Sequence, residues 1–254
     1  LVFLLGLLPW GAFAQVGPLV YSTNPQYPPY DWAVGDEAFA GASVALLTLV
    51  LPPEVKTKAL VVPWKRAQDM AKDGAIDLLL SLRITPERST YLEFTTHRAF
   101  PNPIVVFVRK ESGMTLKSWD DLKGHWGGVS AGDTFGAGFD EYWKSSLQVE
   151  EAPSMVENFR KLDRGRIDWF VTGLYLGKAY LATHRLDHEI VALEPPISTG
   201  DIYLGFSKAS PWKSLIPQVS RRLEELDKNG ELVKLLQVEL GRMLSAPAGS
   251  FPGE

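Results

Sequence analysis

Two stretches of this chain follow one local rule, and it constrains the fold more than any other feature. Gly74-Ala75-Ile76-Asp77-Leu78-Leu79-Leu80-Ser81 has a counterpart in Gly165-Arg166-Ile167-Asp168-Trp169-Phe170-Val171-Thr172. Each follows a short amphipathic pattern: Ala67, Met70 and Ala71 before the first, Val156, Phe159 and Leu162 before the second. Each therefore reads as helix, glycine stop, buried strand, and a hydroxyl residue at the strand end. One repeat is too sparse for a solenoid. It implies two similar α/β lobes, although helix–glycine–strand is also a common α/β unit.

The surrounding chain alternates in the same way. Leu19 to Ser22, Ala59 to Val62 and Ile76 to Ser81 read as strands. Gly41 to Leu51 and Trp64 to Asp73 read as helices, the second with Pro63 at its start and Gly74 at its end. Such alternation implies a parallel sheet with right-handed crossovers. A second lobe is expected from Ile104 to Val108, Trp126 to Ser130, a helix after Gly132-Asp133-Thr134, and the strand ending near Thr172. Ile202 to Phe206 is one more strand. Two amphipathic helices follow, the first stopped by Gly230. The Pro/Gly/Ser-rich tail from Ser245 reads as disordered.

Composition narrows the class. The 254 residues are 45% hydrophobic, enough for one large or two modest domains. A net charge of −4 gives no basic footprint for nucleic acid. Leu1 to Leu8 followed by Ala12-Phe13-Ala14 reads as part of a signal peptide cleaved after Ala14, which places the chain in a periplasm. There are no cysteines, hence no disulfide, thiolate metal site or lipid-bearing cysteine. The four histidines show no paired catalytic or metal spacing, and no cofactor is expected.

The chemistry-bearing segment is Ser81-Leu82-Arg83-Ile84-Thr85-Pro86-Glu87-Arg88. Hydroxyls and free backbone N–H groups at a strand end can take one oxygen of a carboxylate. A guanidinium can then take both oxygens in a bidentate fork.

These residues, with Tyr27-Pro28-Pro29-Tyr30, the Trp64 helix, Tyr91 to Thr95, Asp121-Leu122-Lys123-Gly124, Gly132-Asp133-Thr134 and Asn229-Gly230, resemble the periplasmic solute-binding proteins of polar amino acid ABC transporters, bacterial solute-binding family 3. The resemblance spans nearly the whole mature chain. It implies a two-lobed periplasmic binding protein fold of type II, with two parallel-sheet α/β lobes on a two-strand hinge. Residues 1–14 would be signal, 15–101 plus 201–254 the first lobe, and 102–200 the second. It implies hinge closure on ligand. Arg88 falls at the family's carboxylate-binding arginine, with Ser81 and Thr85 assisting. Thr134, at a helix N-terminus, would close on the same carboxylate. Tyr27 and Trp64 would sandwich the ligand side chain. Simpler roles stay open: loop packing for Tyr27, core for Trp64, helix capping for Thr134 or Asp133. Arg83 stands where a small polar residue is usual, and either adds charge to the cleft or faces solvent.

The resemblance also implies acids that hold a ligand ammonium, and these are missing. The second-lobe position is Gly173 and the first-lobe position Asn24. Ordinary L-α-amino acids are therefore disfavoured, unless Asp133 or Asp201 has taken over. The expected function is capture of a small carboxylate-bearing, amino-acid-like solute by a monomer, for uptake through an ABC permease. The alternatives are a cyclohexadienyl dehydratase-like enzyme, which needs an acid in the cleft, and a free protein presenting ligand to a sensor.

Overall fold

The structure is a computed structural model that describes residues 17–133, 135–136 and 138–245. The expected signal peptide, Thr134 and the tail beyond Ser245 lie outside the described residues.

The strands are β1 (Leu19–Ser22), β2 (Gln26–Tyr27), β3 (Asp31–Val34), β4 (Ala38–Ala40), β5 (Thr57–Ala59), β6 (Leu78–Leu82), β7 (Leu92–Phe94), β8 (Phe100–Arg109), β9 (Trp126–Ser130), β10 (Gln148–Ala152), β11 (Trp169–Gly173), β12 (Ile190–Ala192) and β13 (Ser198–Ser207). The helices are α1 (Ala42–Val50), α2 (Trp64–Lys72), α3 (Phe139–Ser146), α4 (Met155–Asp163), α5 (Leu174–His184), α6 (Ile216–Lys228) and α7 (Glu231–Ser245).

One sheet runs β10-β9-β11-β8-β13-β6-β1-β5, with β12 on β8 and β7 on β13. β5, β1 and β6 are parallel, and so are β10, β9 and β11. Between these groups lie the two long strands, β8 and β13. Their first halves pair antiparallel with each other, Asn102 facing Gly200 and Phe100 facing Ile202. Their second halves diverge: β8 pairs with β11, and β13 with β6. Each lobe is thus a parallel group edged by one strand that begins at the junction. A small β2-β3-β4 sheet covers the first lobe.

The repeated Gly-x-Ile-Asp has a physical reading in both places. Gly74 and Gly165 hold φ of 75° and 66°, the left-handed turn that ends a helix. Ile76 and Ile167 are fully buried. The aspartates then fasten the neighbouring strand. Asp77 Oδ2 accepts from the N–H of Val20 at 2.8 Å, and the N–H of Asp77 donates back to Val20 O at 2.9 Å. Asp168 repeats this on Trp126, with distances of 2.9 and 2.6 Å. Both clamps satisfy the first free N–H of a central strand.

Burial follows strand alternation in the second lobe. Ile104, Val106 and Val108 of β8 enter one core with Trp169 and Phe139; Val105 and Phe107 enter another with Phe159 and Phe170. In the first lobe, Leu78 and Leu80 face α1, α6 and α7, while Leu79 faces α2. Alternation then breaks. Leu82 joins the side of Leu79, because β6 carries one extra residue against β13: Leu79 opposes Gly205, but Leu82 opposes Tyr203. Ser81, with φ 55°, sits in this bulge.

The C-terminal helix links both lobes. Leu232 and Leu236 of α7 belong to the first-lobe core, whereas Met243 packs with Ala179 of α5 and Trp32 of β3.

Two expectations need correction. The second strand lies at Thr57–Ala59 rather than Ala59 to Val62, in register with Leu19 to Tyr21. The helix expected directly after Thr134 begins only at Phe139, following Gly138. Asp140, inside that helix, accepts from the N–H groups of Phe135 and Gly136 and holds the intervening turn, so Asp133 is not its cap.

The clamps give a test. Asp77→Ala and Asp168→Ala should each cost about 1–3 kcal/mol of unfolding free energy, measured in urea. Asp77→Ala should cost more, since Asp77 also accepts from Ser210 Oγ at 2.7 Å.

Candidate functional site

At the strand junction lies a cleft of about 250 Å³ with walls from both lobes. The first lobe contributes Tyr27 and Arg83. β8 contributes Asn102 and Ile104. The second lobe contributes Gly132, Asp133 and Phe135 from the loop after β9, with Thr172, Gly173 and Leu176 at the start of α5. A larger apolar groove of about 370 Å³ lies beside α5 and β12, with Leu240 of α7 on its rim, and shares no lining residue with this cleft.

Arg83 follows the β6 bulge, two residues beyond Ser81. Bulges re-aim the side chains that follow them. Its guanidinium packs on the backbone of Gly200 in β13, where a Cβ would meet Nη2 at 2.7 Å. Its positive charge reaches across the cleft and acts to lower the pKa of both Tyr27 and Asp133. Asp133 is exposed along one flank, yet the net shift of its carboxyl is upward. Desolvation is the main cause, ahead of the Ser130 hydrogen bond and the Arg83 charge that oppose it. Among the described residues, the cleft therefore holds one cation and one acid, on opposite lobes.

Asn102 ties the pieces together. Its Nδ2 donates to Tyr27 Oη at 3.0 Å, and its Oδ1 accepts from Tyr30 Oη at 3.3 Å. Tyr30 also donates to Pro101 O at 2.9 Å. The rings of Tyr27 and Tyr30 stack at 5.0 Å, and burial pushes the Tyr27 phenol up to about 12. Gly173 closes the other side. It precedes α5 without a capping side chain, and a Cβ there would stand 3.0 Å from Asn102 Oδ1. The free N–H groups of the α5 N-terminus make that end of the cleft favourable to an anion.

The remaining expected residues form a separate group. Arg88 lies in a short 3-10 turn, with Nε donating to Gln68 Oε1 at 3.2 Å and Nη1 to Arg83 O at 2.9 Å. Its guanidinium lies over the Trp64 ring, 5.9 Å from the centroid. Thr85 Oγ1 accepts from the Arg88 N–H, and Trp64 packs against the core under α2. None of these three lines the cleft. Ser81 is buried behind it, its hydroxyl in contact with that of Ser43. The structure thus brings Tyr27, Arg83, Asp133 and Gly173 together, and places Arg88, Thr85 and Trp64 behind the strand end. Asp201 is taken by Arg98 at 3.1 Å, and Asn24 accepts from Gln26 N–H in a turn. Among the described residues no cluster of metal-ligating side chains occurs, and no helix is long and apolar enough to cross a membrane.

Sequence reasoning did not assign Asn102, Ile104, Gly132, Phe135, Thr172 or Leu176 to the site. Asn102 left one signal: a polar residue bracketed by prolines at the head of an apolar run, Phe100 to Val108.

The profile of the bacterial extracellular solute-binding proteins, family 3, matches residues 19–241. The chain belongs to this family. No curated protein matches it. Among solved structures, it is similar to the second substrate-binding domain of Lactococcus lactis GlnP in open conformation, at 21% identity and TM-score 0.72, covering 89% of this chain and 97% of that one. The second substrate-binding domain of a Streptococcus pneumoniae putative amino acid ABC transporter gives 16% and 0.72, covering 87% and 99%. An ancestral cationic amino acid solute-binding protein gives 21% and 0.69, covering 88% and 96%. These likenesses agree on the two-lobed binding-protein fold.

In this family 3 protein, Gly173 and Asn102 should be coupled. Gly173→Ala should cost about 1–3 kcal/mol by crowding Asn102. The cost should shrink in an Asn102→Ala background, so a double-mutant cycle in urea should give a non-zero coupling.

Proposed function

We propose that this protein captures a small, amino-acid-like carboxylate in the cleft between its lobes and delivers it to an ABC-type importer. One observation carries the reading: Arg83 and the α5 N-terminus offer a carboxylate site, with Asp133 facing them as an acceptor for a cationic end. The reading takes 15–101 plus 201–254 as the first lobe, 102–200 as the second, and β8 with β13 as the hinge. In this reading the protein acts in the periplasm as a monomer, after removal of residues 1–14.

In this reading Arg83 anchors the carboxylate. Arg88 holds the Arg83 carbonyl and so fixes the loop that presents it. Asp133 supplies the acid absent at Asn24 and Gly173, and ligands with an ammonium become admissible. Neighbours named for amino acids, one of them bound to L-arginine, support this substrate class. Tyr27 walls the cleft, while Trp64 lies under Arg88, so the ligand side chain is not sandwiched between them.

A second reading, a dehydratase-like lyase, draws on Asp133, an acid whose pKa is raised, and on the likeness to an ancestral protein described as a precursor of cyclohexadienyl dehydratase. Turnover of prephenate or arogenate would establish it; inert substrates would remove it.

The test of binding is a thermal-shift screen over L-amino acids and plain carboxylates, followed by calorimetry of the best ligand. Arg83→Ala should weaken every ligand by about 2–5 kcal/mol. Asp133→Asn should weaken ammonium-bearing ligands and spare plain carboxylates. Undiminished affinity in Arg83→Ala, with loss in Arg88→Ala, would return the anchor to Arg88.

A further inference from the structure

A carboxylate is buried behind the cleft, and binding as described leaves it unused. Asp31 opens β3, paired with Tyr27, and has no exposed surface. Among the described residues, neither of its oxygens has an aligned hydrogen-bond donor. It lies in a nest of hydroxyls: Thr23 after β1, Ser43 in α1 and Ser81 in β6 all stand near enough to lower its pKa, though desolvation outweighs them. Its other titratable neighbours are Tyr21 from β1, Tyr27 from β2 and Tyr30 from the turn before β3, each of whose phenols it pushes upward. Among the described residues, no lysine, arginine or histidine contributes to its shift.

The hydroxyls around Asp31 have other partners. Thr23 Oγ1 donates to Leu80 O at 3.4 Å, and the Ser43 and Ser81 hydroxyls contact each other. A carboxylate can only accept, so an ionised Asp31 pulls these donors toward itself. A protonated Asp31 donates one hydrogen bond and leaves the serine pair intact. Ser81 is the member that matters. It is the bulged, left-handed residue of β6, and Arg83 follows two positions later.

We infer that Asp31 is a positioning residue whose protonation sets the Ser81 bulge and thereby the presentation of Arg83 to the cleft. The inference deepens the proposed function by adding a proton-linked control to the same site, and it rests on that reading only for its consequence in binding. Burial raises the Asp31 pKa from 3.8 to about 7, so both forms are populated near neutrality. The sign follows. A folded-state pKa above the unfolded one favours folding at low pH, and that advantage is lost as pH rises from about 4 to about 7.

The experiment needs no ligand. The Asp31 carboxyl carbon and the Arg83 Nε–Hε resonances are followed by NMR in the full chain between pH 4 and pH 9, and Arg83→Lys assigns the second signal. The two should move with one midpoint near 7. Asp31→Asn should abolish the movement at Arg83 and flatten the fall in melting temperature across the same window. An Asp31 that titrates near its ordinary value, or an Arg83 signal indifferent to Asp31, overturns the inference. Should Asp31→Asn fail to fold, the two midpoints in the unmodified protein still decide. Failure to bind any solute in calorimetry would instead defeat the proposed function and leave this result standing.

Discussion

The cleft between the lobes is organised by one backbone ladder, the antiparallel pairing of β8 with β13 from Ser198–Ile104 to Ile202–Phe100. Each strand serves two masters. Beyond the ladder, β8 becomes a core strand of one lobe and β13 of the other. The ladder therefore fixes which residues can share a cleft. Asn102 and Ile104 lie on it, Arg83 packs against Gly200 across it, and β11 brings Thr172 and Gly173 to its other side.

The polar groups around the ladder are arranged so that few are left unmatched. Asn102 uses both ends of its amide on Tyr27 and Tyr30. Arg88 spends its guanidinium on Gln68, the Arg83 carbonyl and the Trp64 face. A cation held this way stabilises the strand end rather than reaching outward. A desolvated charge without a partner costs several kcal/mol, so charges inside a closing cleft must find one there. In the proposed reading, Arg83 and Asp133 would satisfy that condition for a ligand with opposite charges at its ends.

What could be read from sequence was what local rules dictate. The two Gly-x-Ile-Asp units were legible because each residue does a nearby job: turn, core, strand clamp. The helices α2 and α6 were legible from their periodicity and glycine stops, and α7 from its periodicity. The helix start near Thr134 was misplaced because Asp140 organises the preceding turn from within the helix, a contact with no signature ahead of it. The split between Arg83 and Arg88 was hidden for a similar reason. It depends on one extra residue in β6, seen only once β13 is alongside. Asp31 gave no signal at all, since its burial comes from α1, β1 and β6, which are distant in sequence or belong to other elements.

The course of α7 has a mechanical consequence. Its first turns are rooted in the core of one lobe, and its last turns lie on α5 of the other, with Met243 between Ala179 and Trp32. This contact bridges the lobes independently of the strand ladder. Were β8 and β13 to turn as the proposed hinge, a rotation that narrows the cleft would have to stretch or slide that contact. The helix would then act as a counterweight. The apolar surface it keeps dry would set a resting angle, and trimming Met243 would make such a hinge easier to turn without touching a single residue of the cleft.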